Sequence, residues 1–283
     1  MRRLQTRLKS ISLLLWGALS MAASGATAQQ QPGQALQEWT LQNVRAALCV
    51  HFLMDSAQAD KQLPKEFRTV RATDYPDLSP ALKNLVTGEP EFQAWVPAQW
   101  CSFYYDQAKI GDQTLGHANP ELDDTQFLGA WLIGAVPAQE SGAPTMPSYF
   151  IASLRTQNWR MIRLAETSLI KMDYAEPAIG KVPEGQDDRF RVEMGRTIIT
   201  WDGHLAGDSA AAAPAAQQVW YSLNSRGARI RANVAFAPEK RQNVAGSLQI
   251  AGNDDLAKSL RASPIRMVGP INWGGAGTLS FVR

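Results

Sequence analysis

Beyond residue 100, apolar and polar positions alternate in short runs, and this pattern predicts a protein built mainly of strands. Ile230-Ala232-Val234-Phe236 and Phe190-Val192-Met194 space apolar side chains two apart, as a strand does when one face meets a core and the other meets water. β-Branched and aromatic runs divided by turn residues place strands at 101–106, 126–136, 148–155, 160–173, 189–201, 218–224, 228–236, 244–250 and 278–282. Gly185, Asp202-Gly203 and Arg226-Gly227 read as turns between them. The alanine-rich stretch 208–216, with Pro214 inside it, reads as a surface loop.

Helical signals are fewer. Ser79 as N-cap, Pro80 at the first helical position and Gly88 just past the end predict a short helix over 79–86. A second short helix covers 89–95, and residues 253–262 form a third, capped by Asn253 or Asp254 with Arg261 near its end. Residues 36–54 mix apolar positions without a clean period, so they read as a short helix or extended segment to Asn43 and then a strand over 44–54. Together the elements predict a mainly β (α+β) fold: an antiparallel, strongly curved sheet or closed β-barrel with a few peripheral helices.

The N-terminus adds an address. Arg2, Arg3, Arg7 and Lys9 precede the uncharged run ISLLLWGALSMAA at 11–23, and Ala26-Thr27-Ala28 supplies a small-x-small cleavage pattern. Residues 1–28 therefore read as a Sec-type signal peptide cleaved near Ala28, 29–35 as a flexible leader rich in Gln, Pro and Gly, and 36–283 as a single β-barrel-like domain. This predicts a periplasmic or secreted protein with no stable membrane insertion after signal removal. Without the signal the 28 basic residues fall to 24 against 26 acidic ones, and no cationic cluster remains to neutralise nucleic-acid phosphates. In an oxidising compartment the two cysteines, Cys49 and Cys101, are expected to form a disulfide; two buried free thiols are the alternative.

Three stretches carry a family likeness. The C-terminal segments IRANVAFAPEKRQNV (from Ile230), DDLAKSLRA (from Asp254) and SPIRMVGP (from Ser263) give a closing strand, helix and strand, and LPKEFRTV at Leu63 sets a proline and a bulky residue before a strand. This order resembles the acetoacetate decarboxylase-like fold, a β-barrel related in shape to lipocalins. The resemblance implies a central cavity, and in that family catalysis through a Schiff-base lysine whose pKa is lowered by a cationic neighbour, typically an adjacent lysine. This chain has no Lys-Lys pair; Lys171, inside a predicted strand, with Arg163 as its electrostatic partner, is the pair that could serve. A solvent-facing lysine is the alternative reading of Lys171.

Other chemistry is thinly represented. His51, His117 and His204 lie far apart without metal-site spacing. Cys49 and His51 share one strand face, but a bridge employs Cys49, so no metal and no cofactor is expected. Asp123-Asp124 and Asp187-Asp188 read as solvated surface, and no nucleophile elbow or phosphate loop is present. The tryptophan content suggests a pocket: Trp131, Trp201 and Trp220 are candidates for the barrel interior, as ligand pocket or as plain core. Three functions follow: binding of a small, mainly apolar molecule in the barrel; an enzyme on the same barrel, acetoacetate decarboxylase-like or hydrolytic; or an envelope interaction protein with a filled barrel.

Overall fold

The computed structural model describes residues 35–116, 126–167, 170–175, 190–194, 197–211 and 216–282. The signal peptide, most of the leader, His117, Asp123-Asp124, Gly185 and Asp187-Asp188 lie outside the described residues. In chain order the elements are β1 (Ala35–Met54), α1 (Ser56–Gln62), β2 (Phe67–Thr69), α2 (Pro80–Gly88), β3 (Val96–Ile110), β4 (Gln113–Gly116), β5 (Gln126–Pro137) and β6 (Ser148–Thr156). There follow α3 (Trp159–Thr167), β7 (Asp173–Tyr174), β8 (Phe190–Met194), β9 (Thr197–Ala211), β10 (Ala216–Leu223), β11 (Arg229–Ala237) and β12 (Lys240–Ala251). The last are α4 (Asp255–Ala262), β13 (Arg266–Val268), β14 (Ile271–Trp273) and β15 (Ala276–Val282).

Seven of these strands close a barrel in the order β1-β3-β5-β6-β10-β11-β15, with β15 returning to β1. Neighbours run antiparallel except β6 and β10, which are parallel from Ser148↔Val219 to Phe150↔Tyr221. The fold is thus mainly β, with helices at its edge. Outside the barrel β8, β9 and β12 form a second layer, and β14 hydrogen-bonds β1 on one edge and β12 on the other.

Strand β1 explains its own lack of period. Asn43 adopts φ 50 and the register slips between Val44 and Ala46, so the strand turns as it enters its second half. Beyond the slip Ala47 joins the core with Trp39, Leu41 and Val44, while Ala46, Leu48, Val50, Phe52 and Met54 enter the core beneath the outer layer. From Ala46 onward both faces are covered, so this half of the strand is apolar apart from His51 instead of alternating.

Several expectations are corrected. The strand read at 189–201 is two, β8 and β9, paired antiparallel from Phe190↔Trp201 to Met194↔Thr197, and the turn read at Asp202-Gly203 lies inside β9, opposite Ser247 and Gly246 of β12. The strand read at 160–173 is helix α3 over its first part: Asn158 Oδ1 accepts the backbone N–H groups of Arg160 and Met161, and Met161, Ile162 and Ala165 are buried at helical spacing. The loop read at 208–216 is strand as far as Ala211, which pairs with Lys240 of β12. Its partner lies far along the chain, so alanine's weak strand preference is overridden by a ladder that local composition does not show. Residues 36–43 are extended, as part of β1. The helices read at 79–86 and 253–262 come close to their predicted places, with Ser79 Oγ accepting from Leu82 N and Asp254 from Ala257 N at the N-caps of α2 and α4, while the one read at 89–95 is a single 3-10 turn over Pro90–Phe92.

Candidate functional site: a cavity at the split seam of the barrel

The barrel does not close along the whole of β1. Its pairing with β15 ends at Gln42↔Ala276, after which β1 takes β14 as its neighbour at Ala47↔Asn272 and β13 from Val50↔Val268 to Phe52↔Arg266. The change of partner needs a sharp turn between β14 and β15, supplied by Gly274 and Gly275 at φ +72 and +70. A cavity of about 360 Å³ lies at this split. The filled part of the barrel, packed with Trp39, Leu41, Tyr105, Leu128 and Phe281, accounts for the rest of the interior.

Directly opposed pairs of β1 and β3 build one wall: Ala47↔Phe103, Cys49↔Cys101 and His51↔Gln99. Cys49 and Cys101 are joined as a disulfide across the ladder, Cα atoms 4.1 Å apart. Gln218 and Trp220 of β10 and Val234 and Phe236 of β11 complete the apolar part. From the outer layer come Asn272 of β14 and Arg241 of β12, themselves opposed in the β12–β14 ladder. Asp77, exposed, stands at the rim.

Three polar groups define the chemistry. Gln218 Oε1 accepts from Trp220 Nε1 at 2.9 Å and from Gln99 Nε2 at 3.1 Å. Gln99 Oε1 is buried and accepts from no protein donor. Half-buried His51 has its imidazole held below the ordinary 6.5 by desolvation, against a smaller opposing pull from the Asp77 carboxylate. Nearby, Tyr75 and Tyr149 pack ring to ring at 5.5 Å, and burial pushes both phenols well above their usual range.

The residues singled out from sequence fall in different places. Trp220 lines the cavity. Trp131 and Trp201 are buried in the core between barrel and outer layer, because Trp131 lies opposite Trp100 on the outward face of β5 while Leu132 turns inward. Arg163 is exposed on α3 and Lys171 is exposed between α3 and β7; neither lines the cavity. No lysine is among the cavity's lining residues, whose one cationic side chain is Arg241. A guanidinium does not deprotonate, so it cannot stand in for the amine of a Schiff base. Cys49 and His51 do share a face, and among the described residues no three His, Cys, Asp or Glu side chains gather as a metal site would require.

Gln99, Gln218, Arg241 and Asn272 were not picked out from the sequence, and His51 was weighed there only as a metal ligand beside Cys49. A signal existed for two of them: Gln99 and Gln218 are long amides beside Trp100 and Trp220 in apolar strands, where an unpartnered polar group is costly.

Fold and site thus define a mainly β protein with a closed seven-stranded barrel and a cavity at its seam. No protein-family model matches the chain, and no curated protein matches it in sequence. Among solved structures it is similar to the enduracididine biosynthesis enzyme MppR complexed with pyruvate, at 11% identity over 94% of this chain and 94% of that one, TM-score 0.49. It is also similar to an acetoacetate decarboxylase-like enzyme from Sphingomonas wittichii RW1, at 12% identity over 87% of this chain and 90% of that one, TM-score 0.44. A third is acetoacetate decarboxylase from Legionella pneumophila subsp. pneumophila str. Philadelphia 1, at 10% identity over 94% and 95%, TM-score 0.45.

Proposed function

We propose that this is an exported protein whose barrel binds a small, mainly apolar molecule. The observation that carries the reading is the cavity itself: about 360 Å³, walled by Ala47, Phe103, Trp220, Val234 and Phe236, with a few convergent polar groups. Mostly apolar walls with sparse polar anchors are what small-molecule sites present. Export is supported by the N-terminal charge and hydropathy pattern and agrees with a disulfide, which persists in oxidising compartments. No helix among the described residues is long and apolar enough to cross a membrane.

The test uses 1-anilinonaphthalene-8-sulfonate as an apolar probe. Saturable one-to-one binding is expected, and Ala47→Trp, which fills the cavity from β1, should weaken it at least tenfold while far-UV circular dichroism stays unchanged. Unaltered binding in that variant would sink the cavity reading. N-terminal sequencing of the same protein isolated from the cell envelope should begin at Gln29, and a retained Met1 would overturn export.

A second reading, catalysis in the same cavity, is favoured by His51. An imidazole kept neutral in a small-molecule cavity, with the Asp77 carboxylate at the rim of the same cavity, is equipped to take a proton. The geometry supports general-base chemistry of a hydrolytic kind over amine condensation, since no lysine lines the cavity. The neutrality has a measurable sign. A histidine whose pKa is depressed by folding leaves the unfolded chain binding more protons below pH 6.5, so His51 makes stability fall as pH drops through 6.5 toward its folded value. His51→Gln should remove this component, giving a flatter stability profile in that window. Parallel profiles for the two proteins would show that the imidazole is not held neutral, and the base role would fall with it.

A further inference from the structure

The cavity is lined by one cationic and one anionic side chain, Arg241 and Asp77, and its other charged candidate, His51, is held neutral by desolvation. Among the described residues neither Arg241 nor Asp77 has an ion-pair partner, so the two are not paired with each other. The ladders place them at opposite ends. Arg241 is opposed to Asn272, Asn272 to Ala47 and Ala47 to Phe103, which makes one row across β12, β14, β1 and β3. His51 and Gln99 make another row four residues further along β1, about 13 Å away at the rise of a strand. The Cys49–Cys101 disulfide occupies the row between. Asp77 belongs to the His51 end, where its carboxylate acts on the imidazole against desolvation.

The two ends offer opposite chemistry. The guanidinium of Arg241 presents a fork of N–H donors that fits a carboxylate. Asn272 Nδ2 gives one of its two hydrogens to Pro270 O at 3.0 Å, and because a carbonyl only accepts, this fixes the amide and leaves its second hydrogen for the same anion. At the far end stand acceptors: the Asp77 carboxylate and the unprotonated nitrogen of a neutral imidazole.

Resting on the proposal that the cavity binds a mainly apolar molecule, we infer that this molecule is elongated and bipolar, with a carboxylate against Arg241 and Asn272 at one end and a protonated amine beside Asp77 and His51 at the other. The ω-amino carboxylic acids are the simplest members of this class. A compact α-amino acid carries both charges at one end and cannot serve two rows at once. The carboxylate contributes more of the affinity, because Arg241 is half-buried whereas Asp77 is exposed to solvent that screens it.

The experiment titrates the full chain at pH 7.5 with 8-aminooctanoic acid, its isomer 2-aminooctanoic acid, octanoic acid and octylamine, each followed by isothermal titration calorimetry. 8-Aminooctanoic acid should bind about tenfold or more tightly than octylamine and about threefold more tightly than octanoic acid. The isomer, equal in atoms but with its charges adjacent, should bind more weakly than octanoic acid. Arg241→Met should abolish the advantage over octylamine and keep that over octanoic acid; Asp77→Asn should do the reverse. The comparison of isomers needs no variant, so it holds even if a substitution disturbs folding. Equal affinities of the two isomers, or preferences unaltered in both variants, would overturn the bipolar assignment and leave the binding reading standing. Should none of the four compounds bind while the Ala47→Trp test succeeds, the assignment falls alone; should that test fail as well, the cavity reading falls beneath it.

Discussion

Gly275→Ala is expected to destabilise the fold by about 3–5 kcal/mol, read as a fall in the urea midpoint with an unchanged slope. A methyl group there would lie 2.1 Å from the carbonyl oxygen of Ala237 and 3.2 Å from its carbonyl carbon, both backbone atoms with no rotamer to yield. The residue also sits at φ +70, which alanine adopts only under strain. Relief would have to come from moving β11 away from the turn, and β11 pairs with β15 along Arg231↔Val282 to Ala237↔Ala276. Two other glycines separate the contributions. Gly227, at φ +74 with nothing within 4 Å of an added Cβ, should lose roughly 1 kcal/mol on substitution by alanine. Gly88, equally open and without a positive φ, should change by no more than about 0.5 kcal/mol. A Gly275→Ala protein as stable as Gly88→Ala would mean that the split seam is not built as described.

Removing the Cys49–Cys101 bridge, by Cys49→Ser with Cys101→Ser, is expected to cost about 4 kcal/mol on the loop-entropy model, since the linked residues are 52 apart. The native ladder should survive: Leu48↔Ser102 and Val50↔Trp100 flank the bridge, and the pairing of β1 with β3 runs from Trp39↔Ile110 to Met54↔Val96. The cost therefore falls mainly on the unfolded chain, which gains freedom when the loop opens. A reducing agent should lower the urea midpoint of the unaltered protein by the same amount and leave the double variant untouched. A shift below about 1 kcal/mol would show that the unfolded chain is already constrained in this region.

Strand content and curvature were legible in the sequence wherever one face of a strand meets water. The pattern Ile230-Ala232-Val234 of β11 shows buried residues alternating with exposed Arg229, Arg231 and Asn233. It failed where both faces are covered. Strand β5 is buried at every position, so its sequence QFLGAWLIGAVP cannot tell Leu132, which joins the barrel core, from Trp131, which points the other way. A period of two fixes which residues share a face but not which face is which. Helix α3 was mistaken for strand because its apolar residues come bunched, and the signal that decides it is the capping Asn158.

The site was less legible for a related reason. Its polar groups arrive from β1, β3, β10, β12 and β14, and only the closure of the barrel brings them together. Cys49 and His51 were visible as neighbours on one face because two residues of one strand suffice for that. The Trp220–Gln218–Gln99 chain joins residues 119 apart and has no local signature. Arg163 and Lys171 were chosen on the assumption of one strand over 160–173; Arg163 instead lies on the capped helix and Lys171 on the connection after it, both exposed.

The pairing of Ala35 with Val282 joins the first described strand to the last. A topology closed in this way has high contact order, and its closure requires the long-range docking of β15 between β1 and β11. Until β15 is available the β1–β3–β5–β6–β10–β11 sheet remains open, with bare edges at β11 and at the Ala35–Gln42 half of β1. Val234 and Phe236 of β11 are joined to β1 through β15, so the cavity gains its last wall when the barrel closes. A chain halted short of β15 would hold every cavity-lining residue without the strand that joins β11 to β1, and would be prone to pair edge to edge with its own copies.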